Sequence, residues 1–206
     1  MLTLLDVGFR LPDNRVLFEN LSLQVEGGEA IAIEGPSGMG KSTLLGLIGG
    51  LLTPTWGTVE VGDTSGRTPY AWVLQTLNSL NSRTVFENAC LFGHLDNQPN
   101  HLTRQLATAA LLELGMADLM PIRARRLSGG EQQRLAVARA LACSRPIILA
   151  DEPSNQLDRQ NAKRVMKALV GTAADGRAVV IVTHDHDALP AGCRVLHLSE
   201  TGLHDA

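Results

Sequence analysis

The chain has 206 residues, of which 44% are hydrophobic and 19% charged, with a net charge of -3. That length suits one domain, or one domain with a small insertion, able to bury about 70% of its unfolded surface. The weak negative charge supplies no basic field, so no nucleic-acid partner is expected. The longest apolar run, Leu44 to Leu52, is about half of the ~20 residues a bilayer requires and carries three glycines. The opening Met-Leu-Thr-Leu-Leu-Asp lacks the basic segment and cleavage site of a signal peptide. Cys90, Cys143 and Cys193 are odd in number and form no CxxC pair, which favours a reducing compartment. A cytoplasmic chain is expected, reaching a membrane only through a partner.

Short β-type runs open the chain at Leu2 to Leu11 and Val16 to Val25, broken by the turn Pro12-Asp13-Asn14-Arg15, and they predict an antiparallel layer. A buried strand follows at Glu29 to Ile33, then a glycine-rich loop and a helix from about Lys41 to Leu51, ended by Thr53-Pro54. Trp56 to Val61 and Thr68 to Leu74 read as further strands, the second ending at Gln75, and the connection from Gly62 to Thr68 is short. Between Thr84 and Leu119 the apolar period becomes helical, with one helix opening at Val85-Phe86-Glu87-Asn88 and another over Leu102 to Leu114. Arg123 to Arg126 reads as a solvated basic turn. A helix from Ser128 to about Cys143 then breaks before Pro146 and gives way to the strand Ile147 to Ala150. Arg159 to Val170 predicts a helix, Ala178 to Thr183 a strand, and Arg194 to Leu198 a last strand before a polar tail.

Three stretches carry chemistry. In Gly35-Pro36-Ser37-Gly38-Met39-Gly40-Lys41-Ser42-Thr43 the glycines allow a curl whose amides face an anion on the next helix's positive end. Lys41 adds a cation for the β and γ phosphates and Ser42 a hydroxyl for Mg²⁺, which satisfies the full Walker A spacing. In Leu127-Ser128-Gly129-Gly130-Glu131-Gln132, Ser128 and Glu131 read as a capping box. Gly129 and Gly130 weaken a helix without a capping reason, and they point to a second anion site. Asp151 and Glu152 end a buried strand, where adjacent carboxylates are costly unless a metal or proton donor compensates them. At that end of a parallel sheet Asp151 can hold Mg²⁺ and Glu152 can polarise an attacking water. His184 follows another strand within reach of the γ-phosphate, whereas His184 and His186 are poorly spaced to share a metal.

In this order, together with Gln75 and Ser154 to Asp158, these motifs resemble the nucleotide-binding subunit of an ABC transporter over nearly the whole chain. The resemblance implies an α/β P-loop NTPase (RecA-like) core sheet with an N-terminal antiparallel β subdomain and an inserted helical subdomain. Residues 1–206 would form one ATPase domain, with 1–75 and 145–206 building the β subdomain and core and about 76–144 the helical part. It implies ATP and Mg²⁺ as cofactors and a homodimer packed head to tail. Each ATP would lie between the Walker A of one copy and Ser128 to Gly130 of the other. Lys41, Ser37, Ser42 and Thr43 would bind phosphate and Mg²⁺, Gln75 would sense metal and water, Glu152 would be the base, and His184 would hold the γ-phosphate. Asp158 would tie the two sites together.

The stretch Ile148-Leu149-Ala150-Asp151-Glu152-Pro153 and the segments around Leu77 to Leu80 and Thr84 to Asn88 resemble the lipoprotein-releasing, macrolide-exporting and haem-exporting branch. That implies an ATPase, of the translocase class, at the cytoplasmic face of the membrane. It would power transmembrane permease subunits that export a hydrophobic or amphipathic substrate: haem, lipoprotein, peptide or drug. Leu77, Leu80, Phe86 and Phe92 would floor the permease's docking groove or else fill a core. The rival reading is a non-transport ABC ATPase that regulates a membrane partner in a cell-division or sensory complex. A small-molecule kinase would leave Ser128 to Gly130 and His184 without a role, and a GTPase would need a base reader that is missing. Leu11 stands where the family usually places an adenine-stacking aromatic, and Phe9 lies two residues earlier on the same face.

Overall fold

The computed structural model describes residues 2–62, 68–74, 79–199 and 202–205. In chain order the strands are β1 (Leu2–Arg10), β2 (Val16–Val25), β3 (Ala30–Glu34), β4 (Trp56–Val61), β5 (Tyr70–Val73), β6 (Ile147–Asp151), β7 (Ala178–Val182), β8 (Arg194–Ser199) and β9 (Gly202–Asp205). The α-helices are α1 (Lys41–Ile48), α2 (Val85–Ala89), α3 (Leu91–Leu95), α4 (Asn100–Glu113), α5 (Gly129–Leu141) and α6 (Arg159–Gly171). Strands β2, β1 and β4 form an antiparallel sheet in that order, and the second sheet runs β5-β6-β7-β3-β8-β9. Its first five strands are parallel and β9 returns antiparallel to β8. This is the mixed α/β architecture of a P-loop NTPase.

Strict alternation makes the central sheet a wall between two cores. Ile31, Ile33, Ile147, Leu149, Val180 and Val182 face α1 and the antiparallel sheet. Ala30, Ile148, Ala150, Val179 and Ile181 face α5, α6 and the other helices. In the register Asp151 and Ile33 both stand opposite Val182. The loops that leave β3, β6 and β7 therefore emerge side by side at the carboxyl ends of their strands, the usual ligand edge of an α/β sheet.

Three expected features need correction. The helix after the glycine loop stops at Ile48, three residues before Leu51, because Gly49 caps it and Gly50 turns with φ +70. The amides of Leu51 and Leu52 then fold back onto the Gly46 carbonyl, at 2.8 and 3.1 Å. The expected polar tail is the edge strand β9, in which Leu203 packs against the core while His204 and Asp205 face outward. Between Thr84 and Leu119 there is one helix more than expected, α3, and α4 begins at Asn100 rather than Leu102. Cys90 caps α2 while opening α3, so the break falls within one apolar stretch that periodicity alone reads as continuous.

Gly49 marks a close approach of α1 to the sheet. A Cβ there would overlap Cζ2 of Trp72 and lie 2.7 Å from its Cη2 and 2.8 Å from Leu149 Cδ1. Gly49→Ala is expected to destabilise the chain by about 1–3 kcal/mol through overpacking. At this size that lowers Tm by about 2–4 °C per kcal/mol, readable by thermal circular dichroism. An unchanged Tm would mean that the indole is not seated against α1.

The helices are anchored to the sheet by Arg145. Its Nε and Nη2 each donate to the Asp96 carboxylate at 2.8 Å, Nη1 donates to the Tyr70 carbonyl at 2.7 Å, and its guanidinium lies 4.6 Å from the Phe92 ring centre. Such a bidentate pair fixes angle as well as distance. Phe92 and Phe86 both pack on the helical core, and Arg104 covers Phe86 at 4.9 Å. Of the four residues considered as a docking floor, Leu80 is the exposed one and Leu77 lies outside the described residues.

Candidate functional site

The site is built on the loop between β3 and α1. Gly40 has φ +88 and forms the N-terminal boundary of α1, and a Cβ there would overlap the Leu17 side chain. Gly35 has φ +153 and a Cβ would stand 2.6 Å from the Leu198 carbonyl oxygen. Both positions demand glycine on two counts, conformation and contact. Lys41, at the first turn of α1, is 8% exposed, and its Nζ donates to the carbonyls of Gly35 at 2.8 Å and Pro36 at 3.0 Å. The loop thus holds an ammonium group at its centre and provides for its charge through backbone oxygens.

Ser42, one residue on, donates from Oγ to Asp151 Oδ1 at 3.1 Å, which brings the end of β6 against the start of α1. Burial pushes the Asp151 carboxyl above its ordinary range, with the Ser42 hydrogen bond opposing that shift and the neighbouring Glu152 adding to it. A divalent cation beside Ser42 Oγ and Asp151 would compensate this burial, so the oxygen donor set fits Mg²⁺. Glu152 follows with φ +48, a left-handed conformation uncommon outside glycine, and its amide donates to the Val182 carbonyl at 2.8 Å. Its Oε2 lies 2.8 Å from His184 Nδ1. The imidazole expected to reach a phosphate is thus engaged with the carboxylate.

A cleft of about 370 Å³ opens above this loop, lined by Leu11, Arg15, Leu17, Ser37, Gly38, Gly40, Lys41, Ser42, Thr43 and Glu152. The structure therefore brings most of the glycine loop together with one of the two carboxylates. Gly35 and Pro36 accept from Lys41 through their carbonyls, and Met39 is partly buried against the core. Gln75 lies outside the described residues.

Ser128, Gly129 and Gly130 do not line the cleft. Ser128 caps α5: its amide donates to Glu131 Oε2 at 2.8 Å and its Oγ accepts from the Glu131 amide at 3.4 Å. Capping alone does not require two glycines, and Gly130 has a packing reason as well. A Cβ on Gly129 would be 2.6 Å from Gln156 Oε1, and one on Gly130 would be 3.1 Å from the Gln156 carbonyl oxygen. Gln156 itself turns with φ +65. At Gly130 close contact with the backbone of the turn after Glu152 also selects glycine, whereas at Gly129 the contact is with the movable end of a side chain. Asp158 caps α6, accepting from the Asn161 amide at 2.9 Å, and this bond holds its carboxyl below the usual range.

A model of the ABC transporter family matches residues 18–155. The chain belongs to the ABC transporter family. Among similar proteins, this ABC cassette is 36% identical over 206 residues to the lipoprotein-releasing system ATP-binding protein LolD of Pseudomonas fluorescens, covering 93% of this chain and 90% of that one. It is 35% identical over 197 residues to the macrolide export ATP-binding/permease protein MacB of Rhodopseudomonas palustris, covering 90% of this chain. It spans only 30% of the length of that macrolide export protein. Among solved structures, the dimeric cassette MJ0796 superposes with a TM-score of 0.86 at 31% identity, covering 100% of this chain and 98% of the other. A dimeric post-hydrolysis state of MJ0796 bound to ADP and Pi gives 0.83.

Several contacts around the ABC cassette's site escape a reading of motifs. His186 Nδ1 stands 2.9 Å from Glu34 Oε1, which links the end of β3 to the segment after β7. Among the described residues no cluster of three or more His, Cys, Asp and Glu is placed to hold a metal. Leu17 touches Gly40 and, with Arg15, lines the cleft from the antiparallel sheet. Phe9 was the candidate ring for adenine, but it pairs with Phe18 across β1 and β2 and packs on the core, away from the cleft. Among the described residues no helix is long and apolar enough to cross a membrane.

Proposed function

We propose that this ABC cassette binds and hydrolyses ATP as one half of a head-to-tail homodimer and drives a transmembrane permease at the cytoplasmic face of the membrane. One observation carries the reading: the cleft holds the phosphate loop and Glu152, yet the Ser128-Gly129-Gly130 helix tip of the same chain does not line it. The tip is then free to close the cleft of a second copy, an arrangement compatible with the dimeric relatives of similar sequence.

In this reading the triphosphate draws Lys41 off the Gly35 and Pro36 carbonyls to its β and γ oxygens, while loop amides and the Ser37 and Thr43 side chains cradle the rest. Ser42, Asp151 and Gln75 would hold Mg²⁺, whose charge neutralises that developing on the phosphate oxygens. Glu152 takes a proton from the water that attacks the γ-phosphorus, and the bond to the β-phosphate oxygen breaks to give ADP and phosphate. His184 holds Glu152 in place through Nδ1 at 2.8 Å and offers its other ring nitrogen to the γ-phosphate. Asp158, at the head of α6, faces the partner copy. Residues 1–75 and 145–206 act as the rigid ATP-binding part and about 76–144 as the helical lever carrying the tip. Likeness to the lipoprotein-releasing and macrolide-export proteins supports an exporter of a hydrophobic or amphipathic substrate, with exposed Leu80 in the docking surface.

The test is turnover against protein concentration. If each site needs two copies, phosphate release per chain rises with concentration and levels off as gel filtration with ATP and Mg²⁺ reports a dimer. Turnover per chain that stays constant while the protein elutes as a monomer would overturn the composite site.

A further inference from the structure

A triphosphate seated over Lys41 leaves its sugar and base to extend toward the part of the cleft that the phosphate loop does not build. Apart from Glu152, that part is Leu11, Arg15 and Leu17. Among the described residues no aromatic ring lines it: Phe9 and Phe18 are packed together in the core, and Trp56 is covered by Arg10 at 5.0 Å. The base is left with two leucines and one arginine.

Arg15 is anchored by its backbone and loose at its tip. Its amide donates to Asp13 Oδ1 at 3.0 Å and its carbonyl accepts from the Leu11 amide at 2.9 Å, so the turn that carries it is fixed. Asn14 takes φ +68 to close that turn. Among the described residues, no hydrogen bond or ion pair engages the Arg15 guanidinium. The side chain is exposed, and it borders both the nucleotide cleft and an adjoining hollow of about 340 Å³ that reaches Gly38 and Met39. A planar, weakly hydrated cation with free faces at the mouth of an anion site is suited to lie flat on a π system.

Resting on the nucleotide reading above, we propose that Arg15 stacks its guanidinium plane on the purine base, with Leu11 and Leu17 as the apolar bed, and holds the base in this cassette without discriminating between purines. Leu17 also touches Gly40, which joins the bed to the phosphate loop. A guanidinium plane grips the face of a base and leaves its hydrogen-bonding edge unread. Adenine and guanine are therefore held nearly alike.

The experiment measures equilibrium binding of ATP, GTP and inorganic tripolyphosphate to the full chain and to Arg15→Ala, Arg15→Lys and Arg15→Ala/Leu11→Tyr. The wild type is expected to bind ATP and GTP within about threefold of each other, since every base offers a π face. Arg15→Ala should weaken both nucleotides about tenfold, the loss of one stacking contact. Arg15→Lys, which keeps the charge without the plane, should weaken both nucleotides nearly as much while binding tripolyphosphate like the wild type. Leu11→Tyr should restore nucleotide affinity to the alanine variant by supplying a ring. Wild-type affinity for both nucleotides in Arg15→Ala, or full retention in Arg15→Lys, would overturn the stacking role. Failure of the wild type to bind nucleotides and tripolyphosphate alike would instead overturn the nucleotide reading itself.

Discussion

Glu152→Gln is expected to lower ATP turnover by roughly 10²–10⁴-fold, the usual contribution of a positioned general base, while ATP affinity stays near that of the wild type. The substitution preserves shape. The glutamine oxygen can still accept from His184 Nδ1, and the Glu152 amide bond to the Val182 carbonyl at 2.8 Å is untouched. What disappears is the capacity to take a proton. The left-handed φ of +48 at this position is a cost of about 1–3 kcal/mol that the surrounding hydrogen bonds sustain, and the side chain it carries lines the cleft. Because binding survives and the chemical step does not, ATP-loaded dimers should accumulate and elute early in gel filtration with ATP and Mg²⁺. A variant that turns over ATP near the wild-type rate would remove Glu152 from the role of base. His184→Ala should fall between the two, because it removes the group that orients the carboxylate and leaves the carboxylate itself.

The parts of this molecule that were legible in its residues are those where local chemistry and global fold agree. The alternation of large apolar residues through Ile31, Ile33, Ile147, Leu149, Val180 and Val182 is enough to call buried parallel strands, and the structure uses the same alternation to divide two cores. The glycine loop likewise declares itself, because Gly35 and Gly40 meet both a conformational and a contact requirement. Other features depend on partners distant in sequence. At the end of α1, Trp72 and Leu149 leave no room for a side chain on Gly49, and the chain turns away at Gly50 with φ +70. Phe9 faces Phe18 because a register shift separates the Val7 and Phe9 pairings of β1 with β2, and counting alternate residues from Leu11 cannot reveal that. The contact of Gly129 with Gln156 lies in the same class: Gly129 opens α5 and Gln156 sits in a polar turn, and only the fold brings them together.

That contact sharpens the remaining prediction, which concerns whether the helix tip serves its own cleft or a partner's. Gly129→Asp is expected to leave ATP affinity of the single chain within about twofold of the wild type and to abolish ATP-dependent dimerisation and turnover. Juxtaposing like charges at an interface costs several kcal/mol, enough to lower turnover by about 10²-fold or more. The substitution is tolerable within the chain, because its Cβ meets only the amide end of the Gln156 side chain, which can swing aside. Lys41→Ala should fail for the opposite reason, since it leaves the tip intact and removes the buried cation from the phosphate loop. Neither variant turns over alone. In a mixed dimer, however, the phosphate loop of the Gly129→Asp copy faces the sound tip of the Lys41→Ala copy, so one complete site forms while the other carries both lesions. Mixing the two variants should therefore yield phosphate release above that of either alone, rising with the product of their concentrations. If the tip acted on its own chain's cleft, every copy in the mixture would carry one lesion in its only site, and mixing would restore nothing.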